Sequence, residues 1–243
     1  LMSYIDNSQT VLKVENAAMA EKAVEAFGEF YLCLNQENIH LHEVLPGFID
    51  FDKRMQDFKI AITQAQDLYK KKAKKVLDFL LQWENLPQQW ITWQKNNALP
   101  KRIIHADPKI SNVLFNPENQ AIAIIDWDTL MQATLLYDFG DMVRSYTNRL
   151  DEDSIESTEN FNPEYYEAVK RGFLKPLTCI ITDIERENLD YAAQVVIYIQ
   201  AVRFITDYLN GSQYYSIRYE TYNLDRANNQ INLLKGLQKY LEI

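Results

Sequence analysis

What is scarce in this chain narrows its chemistry before any motif is read. Cysteine occurs twice, at Cys33 and Cys179, far apart and with no histidine at zinc-ligand spacing. Neither a disulfide framework nor a structural zinc site is expected, and the chain suits a reducing cytoplasm. Glycine occurs six times, at Gly28, Gly47, Gly140, Gly172, Gly211 and Gly236. They never come close enough together to build a Gly-x-Gly-x-x-Gly turn or a Walker loop. Basic residues are outnumbered, 25 Lys and Arg against 34 Asp and Glu, for a formal charge of -9. That excludes the clustered positive footprint that nucleic acid demands. No apolar run nears the ~20 residues that span a bilayer, and the first residues lack the basic start and apolar stretch of a secretory signal. Neither nucleic acid nor membrane is an expected partner.

What is present is enough apolar material, 47% hydrophobic over 243 residues, for a sizeable core. Ala20, Ala23, Val24, Phe27, Tyr31 and Leu34 follow a helical period and predict a helix over 16–35. A patternless loop with His42, Glu43, Pro46 and Gly47 comes next. From Asp52, the set Met55, Phe58, Ile62, Ala65, Tyr69, Ala73, Val76, Leu80 and Trp83 predicts one long helix to Glu84, with Pro87 beyond its end. A shorter helix carries Trp90 and Trp93. The middle changes character: Arg102 to His105, Val113 to Phe115 and Ala121 to Ile125 favour strands, with Asn116-Pro117-Glu118-Asn119 as a turn. Helical periods return near 138–149, 163–175, 184–210 and 223–241, and the acidic stretch from Asp151 to Asn160 reads as a surface loop. The expected fold class is mainly α in the α+β sense. It comprises a helical subregion 1–100, a loop and hairpin over 101–130, and a second helical subregion 131–243.

The chemistry concentrates in the middle. His105-Ala106-Asp107-Pro108-Lys109-Ile110-Ser111-Asn112 has the His-x-Asp-x-x-x-x-Asn spacing of a kinase catalytic loop, where the Asp accepts a hydroxyl proton and the Asn binds magnesium. Context strengthens it: a β run leads in, a hairpin follows, and Asp126 closes the second hairpin strand. Phosphoryl transfer asks mainly for alignment and for neutralised phosphate charge. Magnesium prefers oxygen ligands and keeps waters, so the Asn112 amide and the Asp126 carboxylate, completed by ATP phosphates, are a sufficient protein share. On extended chain Asp126 and Asp128 would point to one face, which makes Asp128 a candidate for metal or substrate.

Asp138-Phe139-Gly140 spells the magnesium-binding triplet of protein kinases, but it opens a helix instead of closing the hairpin. Asp138 is therefore expected to cap that helix and brace the loop. His105 is expected to brace the loop as well, and Lys109 to support the base. Arg203 and Asp207 lie four apart on a helix, as an ion pair or as substrate contacts. Tyr208, Tyr214, Tyr215, Tyr219 and Tyr222 offer rings either to a sugar or to helix packing.

The run from Arg102 to Arg144 resembles the aminoglycoside phosphotransferase and choline kinase superfamily, of protein-kinase-like fold, and is most similar to bacterial N-acetylhexosamine 1-kinases. The segments AFGEFYLCL around Phe27, LHEVLPGFIDF from Leu41 and RFITDYLNGSQYYSIRYETYNLDRA from Arg203 carry the likeness over nearly the whole chain. The resemblance implies the C-terminal lobe of that fold, moving the γ-phosphate of ATP to the anomeric hydroxyl of an N-acetylated amino sugar. It implies Asp107 as base, Asn112 and Asp126 as magnesium ligands, and Asp128, Arg203 and Asp207 facing the sugar or supporting its pocket. One departure is the N-terminal lobe with its Gly-rich loop and strand lysine, which is missing. The chain alone is expected to bind ATP poorly, with that lobe of a longer parent as its partner. An aminoglycoside or choline-type kinase stays open, since Asp151, Glu152, Asp153, Glu156 and Glu159 offer charge to a cation. A non-catalytic kinase-like binding module stays open too, although the intact Asp107, Asn112 and Asp126 set speaks against it.

Overall fold

Helix α1 (Ala17–Leu34) starts where Asn16, in extended conformation, accepts the Met19 N–H on its side chain at 2.9 Å. This is the ordinary way to satisfy an orphan N-terminal donor. Its stripe of Met19, Ala20, Ala23, Val24, Phe27 and Tyr31 is buried, as the periodicity predicts. The computed structural model describes residues 4–36, 39, 41–42, 45–156 and 159–243; Glu43 of the expected loop and positions 157 and 158 of the acidic stretch lie outside them. The described residues fall into two compact units, each built from separated stretches of chain.

The first unit gathers Leu1–Pro46, Pro100–Thr147 and Asn162–Leu189. Here α1 packs along α6 (Pro163–Leu177), which opens on an Asn162 cap with Pro163 in its first turn. The two helices approach through small residues: Gly28 faces the Pro176 ring, and a methyl at Gly172 would sit 2.6 Å from the Glu21 carbonyl oxygen. Gly172→Ala is therefore expected to lower unfolding stability by about 1–3 kcal/mol, the range for overpacking a core. Urea denaturation with unchanged m-value would show it, and an unchanged midpoint would mean that the helices separate at no cost.

Against these helices lie two small antiparallel sheets. One has the order β1 (Gln9–Thr10), β3 (Val113–Phe115), β4 (Ala121–Ile124); the other pairs β2 (Arg102–Ile104) with β5 (Met131–Ala133). Asn116 closes the β3–β4 turn by accepting the N–H groups of Glu118 and Gln120 at 3.1 and 2.8 Å. Helix α5 (Leu135–Tyr146) follows, capped by Thr134, and α7 (Asp183–Glu187) completes the unit.

The second unit gathers Gly47–Leu99, Asn148–Phe161 and Asp190–Ile243. It holds α2 (Phe51–Gln64), α3 (Asp67–Gln82), α4 (Gln88–Asn96), α8 (Leu189–Leu209) and α9 (Tyr222–Tyr240). Tyr198 of α8 donates its hydroxyl to the Leu80 carbonyl at 2.7 Å, and Tyr191 donates to the Leu86 carbonyl at 2.8 Å, which ties α8 to the turn after α3.

The long helix expected from Asp52 to Glu84 is broken. Ala65 and Gln66 are both extended, with ψ of 147° and 146°. The break lets each half aim its own stripe, Met55, Phe58 and Ala61 on α2, and Ala73, Val76, Leu77 and Leu80 on α3 against α9. The segment 184–210 is interrupted too, because Asn188 turns its side chain onto the Ile184 carbonyl at 2.7 Å and ends α7. The acidic loop is anchored to α9: Arg226 pairs with Glu152 at 2.5 Å, Lys239 with Glu159 at 3.4 Å, and Asn148, Asn160 and Asn229 hydrogen-bond among themselves. The mainly α class with a small β component stands as read from the sequence.

Candidate active site

The loop between β2 and β3 is held from below by one buried carboxylate. Asp138 is the fourth residue of α5, fully buried, and accepts the His105 N–H at 2.7 Å, the Ala106 N–H at 3.0 Å and the Tyr31 hydroxyl at 2.6 Å. Aiming two successive N–H groups at one carboxylate requires a bend, and Ala106 supplies it with a left-handed φ of 63°. That conformation costs an L-residue about 1–2 kcal/mol. Asp138 does not cap its helix, as the sequence suggested; Thr134 does, accepting from Leu136 N. The helix begins a turn earlier than its periodicity indicated, which places Asp138 inside it and turned toward the loop.

Burial pushes the Asp138 carboxyl up to about 7, against the pull of its Tyr31, His105 and Ala106 donors and with some help from Asp141. A carboxyl whose folded pKa is raised above the unfolded 3.8 gives stability that is fully present below about pH 4 and lost as pH rises through about 7. The stability of the wild type relative to Asp138→Asn, measured by urea unfolding, is therefore expected to fall between pH 4 and 7 and to level off above. A flat difference across that window would contradict the assignment.

His105 is buried and its ring packs edge-on to Phe27, with centroids 5.3 Å apart. Burial lowers its pKa and keeps the imidazole neutral, and Nε2–H donates to the Ile125 carbonyl at 3.0 Å. The His105 carbonyl in turn accepts the Thr129 hydroxyl at 2.7 Å. The loop is thus fixed on three sides, by α1, α5 and the segment after β4.

Above this support Asp107 is partly exposed, 29% for the side chain, with the Lys109 ammonium 2.5 Å from Oδ2. Asn112, 3% exposed, donates Nδ2 to the Asp107 carbonyl at 2.9 Å and to Oδ2 at 3.3 Å. Its amide hydrogens are committed to Asp107, so the amide oxygen is the atom left to serve as a ligand. Ile125 N–H reaches the Asn112 carbonyl at 2.9 Å, which places Asp126 at the open end of the β3–β4 hairpin beside Asn112. Asp126 is exposed, in a left-handed conformation at φ 64°.

Asp126 and Asp128 do not sit on extended chain, contrary to expectation. Residues Trp127–Thr129 form a 3-10 turn, tied back by Trp127 Nε1–H to the Ile124 carbonyl at 2.8 Å, and Asp128 is exposed on it. The donor set fits a hard cation that takes few protein ligands: one amide oxygen and one carboxylate, with no group of three or more His, Cys, Asp or Glu able to hold a metal among the described residues.

Arg203 and Asp207 belong to the second unit, where they line a cavity of about 150 Å³ with Arg54, Thr206, Tyr214 and Tyr215. The Asp207 carboxylate is occupied by its own fold, accepting the N–H groups of Tyr214 and Tyr215 at 2.8 and 3.0 Å and Asn223 Nδ2 at 2.9 Å. The Arg203 guanidinium lies over the rings of Phe48 and Tyr215 at 5.0 and 5.9 Å. Tyr208 is buried against Tyr69, whereas Tyr214 is largely exposed. Sequence reasoning missed Tyr31, 107 positions from its partner Asp138, and missed Arg54 and Thr206, whose surroundings no spacing rule reports.

The model of the phosphotransferase enzyme family matches residues 1–177 of the chain, through and beyond this loop. The chain belongs to that family. Among solved structures the phosphotransferase is similar to a protein from Ralstonia eutropha assigned to the aminoglycoside phosphotransferases, at TM-score 0.60 and 14% identity, covering 99% of this chain and 72% of that one. It is similar also to a choline kinase from Cryptosporidium parvum, at 0.56 and 13%, covering 98% and 70%. A choline kinase from Streptococcus pneumoniae matches at 0.52 and 11%, covering 98% and 69%. At such identities these likenesses establish the kinase-like fold. The family membership makes the protein an ATP-dependent phosphotransferase. No helix among the described residues is long and apolar enough to cross a membrane.

Proposed function

We propose that this phosphotransferase moves the γ-phosphate of ATP to a sugar hydroxyl, specifically the anomeric hydroxyl of an N-acetylhexosamine. The observation that carries the transfer chemistry is the Asp107 carboxylate held in place by Lys109 and Asn112 on a loop fixed by Asp138. The substrate O–H gives its proton to the Asp107 carboxylate, its oxygen bonds to the γ-phosphorus, and the bond from that phosphorus to the departing ADP oxygen breaks. Lys109 steers the charge at the base, and its ammonium offers a donor to phosphate oxygen. Asn112 Oδ1 and the Asp126 carboxylate would hold magnesium, which when bound neutralises phosphate charge. Asp128 and the cavity with Arg203 serve the sugar; Asp207 serves by holding the Tyr214–Tyr215 backbone.

A neutral acceptor suits these groups better than a cation. The acidic residues that would have drawn an amino alcohol or aminoglycoside are engaged, Glu152 by Arg226, Glu159 by Lys239 and Asp153 by Arg218 at 3.9 Å. The glycines are too scattered for a phosphate-covering loop, and we propose that a second lobe supplies that cover together with a strand lysine. The test is ADP release by the full parent protein with ATP and magnesium, across N-acetylglucosamine, N-acetylgalactosamine, glucose, choline and kanamycin. Turnover confined to the N-acetylated sugars supports the reading. Turnover with choline or kanamycin keeps the chemistry and replaces the substrate, and silence from folded protein favours a binding module.

A further inference from the structure

The cavity of the second unit contains polar atoms that the fold leaves unused. Thr206 Oγ1 and Arg54 Nε are both shielded from solvent and have no hydrogen-bond partner, while Arg54 Nη2 is anchored on the Phe48 carbonyl at 3.2 Å. Both residues line the same space of about 150 Å³. That volume is below the roughly 300–1,000 Å³ of pockets that enclose a whole small ligand, so it suits one substituent. An unpaired buried donor weakens a fold, and its persistence at a cavity asks for a partner from outside.

The chemistry of that partner follows from what lines the space. Arg54 Nε–H can only donate, and the Thr206 hydroxyl can donate as well. The Asp207 carboxylate is already taken by two backbone N–H groups and Asn223. Asp57 is exposed at the edge of the cavity, where it faces Lys53 at 3.8 Å. With the Arg54 and Arg203 guanidinium groups in the wall, an ammonium is repelled and an uncharged oxygen acceptor is favoured.

We infer that Arg54 and Thr206 form a corner that reads the carbonyl oxygen of an N-acyl substituent, selecting N-acylated amino sugars over those with a free amine. The inference rests on the sugar-kinase reading and assigns specificity to two residues outside the transfer loop. The corner acts on affinity for the acyl group and leaves the Asp107 chemistry alone.

The experiment compares wild type, Thr206→Val and Thr206→Ser in the full parent protein. Binding of N-acetylglucosamine, glucosamine and glucose is followed by calorimetry, beside ADP release with each. Valine keeps the shape and removes the hydroxyl; serine keeps the hydroxyl. The expected result is about tenfold weaker N-acetylglucosamine binding in Thr206→Val, with wild-type affinity in Thr206→Ser and glucose unchanged in both. Equal affinity of wild type and Thr206→Val for the acylated sugar overturns the corner while the kinase reading stands on continued turnover. Preference of the wild type for glucosamine over its N-acetyl form overturns it too. Absence of turnover and binding with every sugar overturns both, and only that result removes the sugar-kinase reading.

Discussion

Asp107→Asn in the full parent protein is expected to lower kcat by about 10³-fold, within the range for removing a positioned general base. The amide keeps the size of the side chain and cannot take the hydroxyl proton. It also ends the 2.5 Å ion pair with Lys109 and leaves that ammonium without its carboxylate. Asn112 still has the Asp107 main-chain carbonyl at 2.9 Å, so the loop keeps its course and the loss falls on kcat more than on KM. ADP release under saturating substrate, beside a matched thermal unfolding curve, separates lost chemistry from lost fold. Near-normal turnover in a folded Asp107→Asn protein would remove Asp107 as the base.

Asp138→Ala is expected to be the most damaging single change to stability, about 3–4 kcal/mol. Each buried donor left unpaired costs about 1–3 kcal/mol, and three lose their acceptor together: His105 N–H, Ala106 N–H and the Tyr31 hydroxyl. The individual costs do not add fully, because the three share one acceptor. Without the carboxylate nothing compensates the left-handed Ala106, and the loop that presents Asp107 relaxes. Urea unfolding should show the stability loss, and ADP release should show kcat falling alongside it although no reacting atom has been touched. A loss under about 0.5 kcal/mol, the range of an unimportant surface change, would show that the donors find other partners.

The transfer loop was legible in the sequence because its signal is local. Asp107 and Asn112 are five apart, the β runs on either side are short and distinct, and Asp126 follows the second strand at once. The family match agrees with the superfamily named from these residues. The parts that were not legible depend on distance in the chain. Nothing around Tyr31 announces a contact with Asp138, and nothing in the run through Ala65 and Gln66 announces a break, since alanine and glutamine carry good helix propensity and the apolar period continues across them. Tertiary packing overrode propensity there, because α3 must present Ala73, Val76 and Leu80 to a helix that follows about 150 residues later. Asp207 shows a third kind of limit. Its position on the helix was readable, but the turn of Tyr214 and Tyr215 back onto its carboxylate was not.

The close seam between α1 and α6 bears on how the protein is made. Glu21 and Arg171, which meet across that seam, are 150 positions apart. At synthesis rates of about 5–20 residues per second, α1 leaves the ribosome roughly 8–30 s before α6 can cover it. During that interval the Phe27 and Val24 stripe has no final partner, and the stretch 47–99, which belongs to the other unit, emerges between them. The nascent chain is therefore a client for chaperones that shield apolar helices, and codon choices that speed translation between residues 47 and 161 should raise its soluble yield.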